Sequence, residues 1–420
     1  MTMPVRLCCL LTATLLIVPC GSAQDVEWPW FLGPDHDGIA RRAPAVADTW
    51  TKGQPEVLWR VDVGPGFAGP SIHRNSVFLL DRPDDEQDVL RRLSLENGSE
   101  IWRSAYPAPG KLPYNGSRTT PATDGKHVYT IGPFGHVRAV QYADGTPVWN
   151  AQLLEDWNAK RPRWGVAQSP LLHGNLLITA PWGGKAALVA YEKMTGNVAW
   201  VTPNRHGVDQ DYSSPLPLTI AGKEMIVAAG KNGKTLAVDP ETGKELWFYD
   251  DYFCKIHIAS PVLVPGDRIL LTGGYNAGSA MFKVTGTGDG YATETLWQNK
   301  NLGSQIAQPL VHKGFIYANS NNTKGGLVCL DFDGNLQWQT QRKPWFDIGN
   351  ILIAEDVLFI VNGRNGHLVL VDPSPRAYRE RGRAPVMTGP QVWGPLAYDD
   401  GILVLRDQKS LACLDVSRPE

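Results

Sequence analysis

A tryptophan recurs through this chain at Trp59, Trp102, Trp149, Trp200, Trp247, Trp297 and Trp338, at intervals of 43, 47, 51, 47, 50 and 41 residues. A period of that length filled with short strand-like runs is the mark of a propeller blade. The clearest copy is Ser213 to Tyr249, where Leu216 to Ile220, Met225 to Ala229, Lys234 to Asp239 and Lys244 to Tyr249 read as four strands. Ala-Gly, Lys-Asn-Gly and Pro-Glu-Thr-Gly turns separate them. A four-stranded sheet that is apolar on both faces cannot stand alone, so it predicts like units stacked on either side.

The strand starts give the number of units: Pro70, Pro121, Pro170, Pro215, Pro261 and Pro309, then Ile351 without a proline, then Pro395. Eight starts predict eight blades. Glu56 to Val63 reads as a closing strand with nothing ahead of it, and Ile402 to Val416 as inner strands with nothing after them. The two ends complement each other. The sequence therefore predicts an all-β fold, an eight-bladed β-propeller of four-stranded antiparallel blades, closed by pairing of its N- and C-terminal strands, which removes the open edges of an unclosed array. Blade seven (Leu368 to Tyr378) has no tryptophan at the expected place, and Tyr378 is the expected substitute.

Ahead of the repeats, Arg6, the apolar run Leu7 to Val18 and the small residues Gly21-Ser22-Ala23 read as a secretory signal peptide over 1–23. Pro19 disfavours Cys20 as a lipidated residue, so cleavage after Ala23 and an exported, periplasmic or secreted protein are expected. Residues 24–55 are expected to pack on the propeller body of 56–420 through Trp28, Trp30 and Phe31, since three exposed aromatics so close together would form a sticky patch. No later run is long and apolar enough for a transmembrane segment. The net charge of -2 gives no footprint for nucleic acid. Beyond the signal, Cys254, Cys329 and Cys413 are too few and too scattered for a disulfide framework. Cys329 and Cys413 hold matching places in two repeats, as small buried hydrophobes do.

The stretch A-V-D-P-E-T-G-K-E-L-W (Ala237 to Trp247), repeated as A-Y-E-K-M-T-G-N-V-A-W (Ala190 to Trp200), resembles the tryptophan-docking repeat of quinoprotein dehydrogenases and their relatives. The mature chain as a whole resembles the PQQ-binding-like β-propeller repeat proteins, which include BamB-type outer-membrane assembly propellers. Trp28 to Gly38, the S-R-T-T-P start at Ser117, Leu153 to Gly165 and Val392 to Gly401 resemble exported bacterial members. For the dehydrogenases, the resemblance implies PQQ over the central mouth, a calcium ion and an Asp base. For the methanol-type enzymes it also implies adjacent cysteines near the quinone. Here the only adjacent pair, Cys8-Cys9, falls in the signal peptide, and no C-x-x-C-H haem site occurs. The expectation is a non-catalytic propeller, with no cofactor and no metal, binding a small ligand or an envelope protein partner. The alternative is a PQQ- and calcium-dependent oxidoreductase of an alcohol or sugar.

Other motifs fail on context. Gly64 to Gly69 spells G-x-G-x-x-G, but Pro70 and a β-like run follow it where a dinucleotide site needs a helix. The acidic residues Asp84, Asp85, Glu86 and Asp88 read as solvated surface. What remains is position: the residues just before each inner strand should ring one mouth of the central channel. These are Phe67, Arg118, Asp211, Tyr212, His257, Gln305 and Trp393, with Trp164 nearby. They mix a cation, hydrogen-bonding groups and flat rings, as a concave ligand site does. Arg118 is expected to hold an anionic group, and Trp164 and Trp393 to stack on a flat one.

Overall fold

In the computed structural model, which describes residues 27–41, 46–47, 50, 53–288, 290–322 and 325–418, the repeats form eight sheets around a ring. The signal-peptide stretch lies outside the described residues. Blade four is made of Leu216–Ile220, Lys223–Ala229, Thr235–Val238 and Glu245–Tyr249, hydrogen-bonded in that order. The other blades repeat this antiparallel meander. Blade eight has the expected closure: Glu56–Asp62 pairs antiparallel with Ser410–Asp415, with Val61 opposite Leu411 and Trp59 opposite Cys413. Cys254, Cys329 and Cys413 are free and buried.

The tryptophan period has a direct physical cause. The indole Nε1 of six of the seven closing tryptophans donates to a carbonyl in the outer turn of the next blade: Trp59 to Leu95 at 2.7 Å, Trp102 to Tyr142 at 3.0 Å, Trp149 to Lys193 at 2.7 Å and Trp200 to Pro240 at 3.0 Å. Trp297 and Trp338 do the same to Phe332 and Ser374. The ring face lies on the turn glycine. Gly243, at φ +68°, sits so close to Trp200 that a Cβ there would come within 2.3 Å of the ring. The T-G of the repeat is thus the landing site for the preceding blade's tryptophan.

Two junctions differ. Blade five replaces the short turn with a long hairpin, Gly278–Thr287 and Gly290–Asn299, so Trp247 has no carbonyl to meet and its Nε1 lies 3.3 Å from the Met225 sulfur. In blade seven, Tyr378 does not take the tryptophan position. Register places Gly382 there, paired with Leu370, and the ring of Trp50 lies over the gap, 3.6 Å from where a Cβ of Gly382 would be. Tyr378 instead donates to Glu380 and meets Trp338 edge-on. The missing tryptophan is supplied from the N-terminal segment.

The strand starts are also joined around the ring. The residue before each proline accepts, through its side chain, the backbone N–H of its counterpart one blade earlier: Thr120 to Ser169 at 3.0 Å, Ser169 to Ser214 at 2.9 Å, Ser214 to Ser260 at 3.1 Å and Ser260 to Gln308 at 2.9 Å. This buried chain satisfies N–H groups that the narrow inner strands leave without ladder partners.

The N-terminal segment enters that channel. Trp28 exchanges both backbone hydrogen bonds with Ile72 of blade one, Pro29 accepts from Thr123 of blade two, and Ile39–Ala40 adds a parallel fifth strand inside blade seven. Trp28 is fully buried, and Trp30 stacks on His36. The segment thereby closes one end of the channel.

Candidate functional site

The open end is built by two sets of connections, those from each outer strand to the next inner strand and those between second and third strands. They surround a cavity of about 180 Å³. Of the eight residues expected at this mouth, Phe67, Arg118, Trp164, Tyr212, Gln305 and Trp393 line it. Phe31 and Leu32 form its base from the opposite side. The channel is therefore a closed cup.

The G-P-G-F-A-G connection, misleading as a nucleotide motif, is what carries Phe67 into place. Gln408 grips Gly66 through both its amide atoms, each at 3.0 Å, and Phe67 N–H donates to Ser117. Phe67 then stacks on Trp393 with ring centres 5.4 Å apart and planes 19° from parallel. Tyr114 closes edge-on against Phe67 at 6.2 Å. Trp393 is held by its Nε1 donating to Asp347 at 3.1 Å and its carbonyl accepting from Asn350 at 2.6 Å. Across the cup, Trp164 and Tyr212 lie 5.2 Å apart. Gln305 donates to the Tyr275 hydroxyl at 3.2 Å.

Arg118 is the one charged side chain among the lining residues. Its Nη1 and Nη2 donate to the carbonyls of Gly116 and Tyr114 in its own loop, and its guanidinium lies 5.6 Å from the Phe67 ring centre. Burial pushes its pKa down to about 10. Among the described residues no carboxylate pairs with it, so an incoming anion meets a partly desolvated cation already oriented by two hydrogen bonds. Truncating it to Ala is expected to weaken binding of an anionic occupant by about 1.5–3 kcal/mol, the range for a hydrogen bond to a charged group. Isothermal titration of the two proteins with a bound ligand reads this directly.

Asp211 and His257 sit behind the wall and do not line the cup. The His257 N–H donates to the Asp211 carboxylate at 2.7 Å, and the His257 carbonyl accepts from Tyr212. Burial raises the Asp211 pKa to about 7, against the opposing His257 hydrogen bond and Lys231 charge. Burial alone lowers His257 to about 4, and among the described residues neither of its ring nitrogens has a hydrogen-bond partner. The two act on stability in opposite senses. Asp211 favours the protonated fold, a contribution complete below its usual 3.8 and lost as pH rises through 7. His257 favours the neutral fold, a contribution complete above its usual 6.5 and lost as pH falls towards 4. Asp211→Asn should therefore abolish the decline of stability between pH 6.5 and 7.5 and leave stability rising from pH 4 to 6.5. Urea denaturation across that range measures it.

Sequence reasoning missed Tyr114 and Tyr275, which reach the mouth from loops of unequal length, and Phe31 and Leu32, which belong to no repeat. It also misplaced Asp88, which is fully buried and paired with Arg82 at 2.9 Å. Asp84 and Glu86 are exposed as expected. Among the described residues no helix is long and apolar enough to cross a membrane.

The family model described as outer membrane protein assembly factor BamB matches residues 50–159 and 85–340. Among curated proteins, the quinohemoprotein alcohol dehydrogenase ADH-IIG of Pseudomonas putida is 31% identical over 147 residues, which is 32% of this chain. The match covers only 20% of that enzyme's length. Among solved structures, BamB from Moraxella catarrhalis superposes with a TM-score of 0.61 at 14% identity, covering 86% of this chain and 99% of that one. The quinohemoprotein alcohol dehydrogenase from Comamonas testosteroni gives 0.62 at 11% identity, covering 94% and 81%. At these identities the structural likeness speaks for the fold alone.

Proposed function

The chain belongs to the family of the outer membrane protein assembly factor BamB, and from that premise we propose that it is an exported, non-catalytic propeller that binds a partner protein or small ligand at the open end of its channel. One observation carries the reading. The channel is a closed cup, walled by Phe67, Trp393, Tyr114, Trp164 and Tyr212, floored by Phe31 and Leu32, and charged only at Arg118. A volume of about 180 Å³ is close to that of cavities that accept one benzene-sized group, and below the range of whole-cofactor pockets. It suits a side chain presented by a partner. Capture from envelope extract with the intact protein should recover a partner that Arg118→Ala loses. Recovery unchanged by that substitution would reject the cup as the binding site.

The second reading, a PQQ-dependent oxidoreductase acting on an alcohol or sugar, draws on the ADH-IIG match. The residues do not fit it well. PQQ is a flat tricarboxylate and would face one cation, Arg118. The lining residues include no carboxylate to hold a calcium ion, because Asp211 is turned away onto the His257 backbone. Adding PQQ and calcium and following the quinone spectrum and dye reduction over an alcohol and sugar panel separates the readings. Saturable PQQ binding with turnover would overturn the first.

A further inference from the structure

The face around the cup differs in charge from the rest of the molecule. Among the described residues, its connections carry sixteen Lys and Arg against eleven Asp and Glu, in a chain whose total is -2. The opposite face and the outer strands therefore hold the acidic excess. Several of the acids near the mouth are already engaged. Asp209 faces Lys160 and Lys231 at 3.3 and 3.6 Å, Asp347 accepts from Trp393, and Asp211 accepts from His257. Many of the cations are not. Arg161, Arg163, Lys255, Arg342, Lys343 and Arg364 are exposed and make no ion pair within the described residues. The exposed acids Asp84, Glu86, Glu155, Asp156 and Asp251 on these connections also make no ion pair within the described residues, so the field at the rim is the net positive one that the excess of cations leaves, and a concave rim focuses it.

The same face carries all the exposed aromatic rings of the described chain. Tyr114, Phe253, Tyr275 and Trp345 are 44%, 66%, 55% and 37% exposed, whereas the exposed aliphatic side chains are on outer strands or turns elsewhere. Arg342 lies 5.8 Å from the Trp345 ring centre, and Arg161 lies 5.3 Å from that of Phe134. Exposed aromatic and arginine side chains together are the composition of binding hot spots. They surround a cup whose own single charge is again positive.

We infer that this face docks an acidic segment of a partner protein, with Arg161, Arg163 and Arg342 meeting its carboxylates, the exposed rings covering its apolar side chains, and one of its side chains entering the cup beside Arg118. The inference rests on the binding reading above and adds the chemistry of the partner. A peptide is favoured over an anionic membrane because the mouth is concave and narrow: a side chain enters a cup of about 180 Å³, and a bilayer surface does not.

The test uses a fluorescent peptide alternating Glu and Phe, with a Lys and Phe peptide and phosphatidylglycerol vesicles as the other arms. The Glu peptide should bind saturably, weaken as salt rises, and lose about ten-fold or more in affinity in Arg161→Glu/Arg163→Glu/Arg342→Glu, as reversal of rim charges does. All three positions are exposed, and an unchanged melting curve verifies the fold of the variant. Equal binding of the Lys peptide, indifference to the triple reversal, or adsorption of the vesicles in place of the peptide would each overturn the inference. A captured partner that resists the triple reversal but is lost in Arg118→Ala would sink acidic docking and leave the binding reading standing. A partner indifferent to both variants would sink both.

Discussion

Removal of residues 411–420 is expected to leave a chain that no longer unfolds in one cooperative transition. Ser410–Asp415 lies between Ile402–Arg406 and Glu56–Asp62, so its loss takes the third strand out of blade eight and leaves the N-terminal strand with no partner. Leu411, Ala412, Cys413 and Leu414 are all fully buried, in a cluster that continues into blades one and seven. At about 1.5–3 kcal/mol for each large apolar side chain, with the ladder bonds to both neighbours added, the loss approaches the roughly 5–15 kcal/mol that holds a typical domain together. The ring would also gain two open edges. A calorimetric scan of the truncated chain should show a broad or absent transition. A melt identical to that of the intact chain would mean the ring is not closed by its ends.

Trp200→Ala should cost about 3–5 kcal/mol, the range for truncating a large buried aromatic side chain. Besides its buried ring, it removes the indole donor that satisfies the Pro240 carbonyl at 3.0 Å, and it leaves a hole over Gly243. The partner glycine allows an independent check. Gly243→Ala forces a Cβ to within 2.3 Å of the same ring at a positive φ of 68°, a change that should cost on the order of 1–3 kcal/mol through backbone strain and displacement of the ring. Because the two act on one contact, the double variant should lose less than the sum. Denaturant titration of the cycle measures this. Strict additivity would show that the indole and the turn glycine are not one structural unit.

Blade number, the closure of the ring by its own ends and the mouth of the channel were legible because all three follow from the repeat. Trp59 to Trp338 set a period, and a period fixes where every connection lies. Phe67, Arg118 and Trp393 could be placed at the mouth by counting back from the strand starts. The features that escaped are those that occur once. Nothing in W-P-W-F-L-G indicates that Phe31 and Leu32 enter the channel, since the pairing of Trp28 with Ile72 that draws them in is made by backbone atoms. Trp50 over Gly382 is a contact between segments more than three hundred residues apart. Asp211 and Tyr212 are adjacent in sequence yet face opposite ways, because the Asp211 carboxylate is claimed by the His257 N–H while the Tyr212 ring packs against Trp164, tilted by 32°. Position along a connection gives its place on the ring. It does not give the direction of a side chain.

The central claim, that the closed aromatic cup is where this propeller binds, is tested most directly by photocrosslinking from single positions in envelope extract. A photoreactive residue in place of Tyr114 or Tyr275, at the mouth, should capture one and the same partner. The same group at Val198 or Leu336, exposed on outer strands, should not, and Arg118→Ala should abolish the crosslink from the mouth. Capture from the outer strands but not from the mouth would contradict the account.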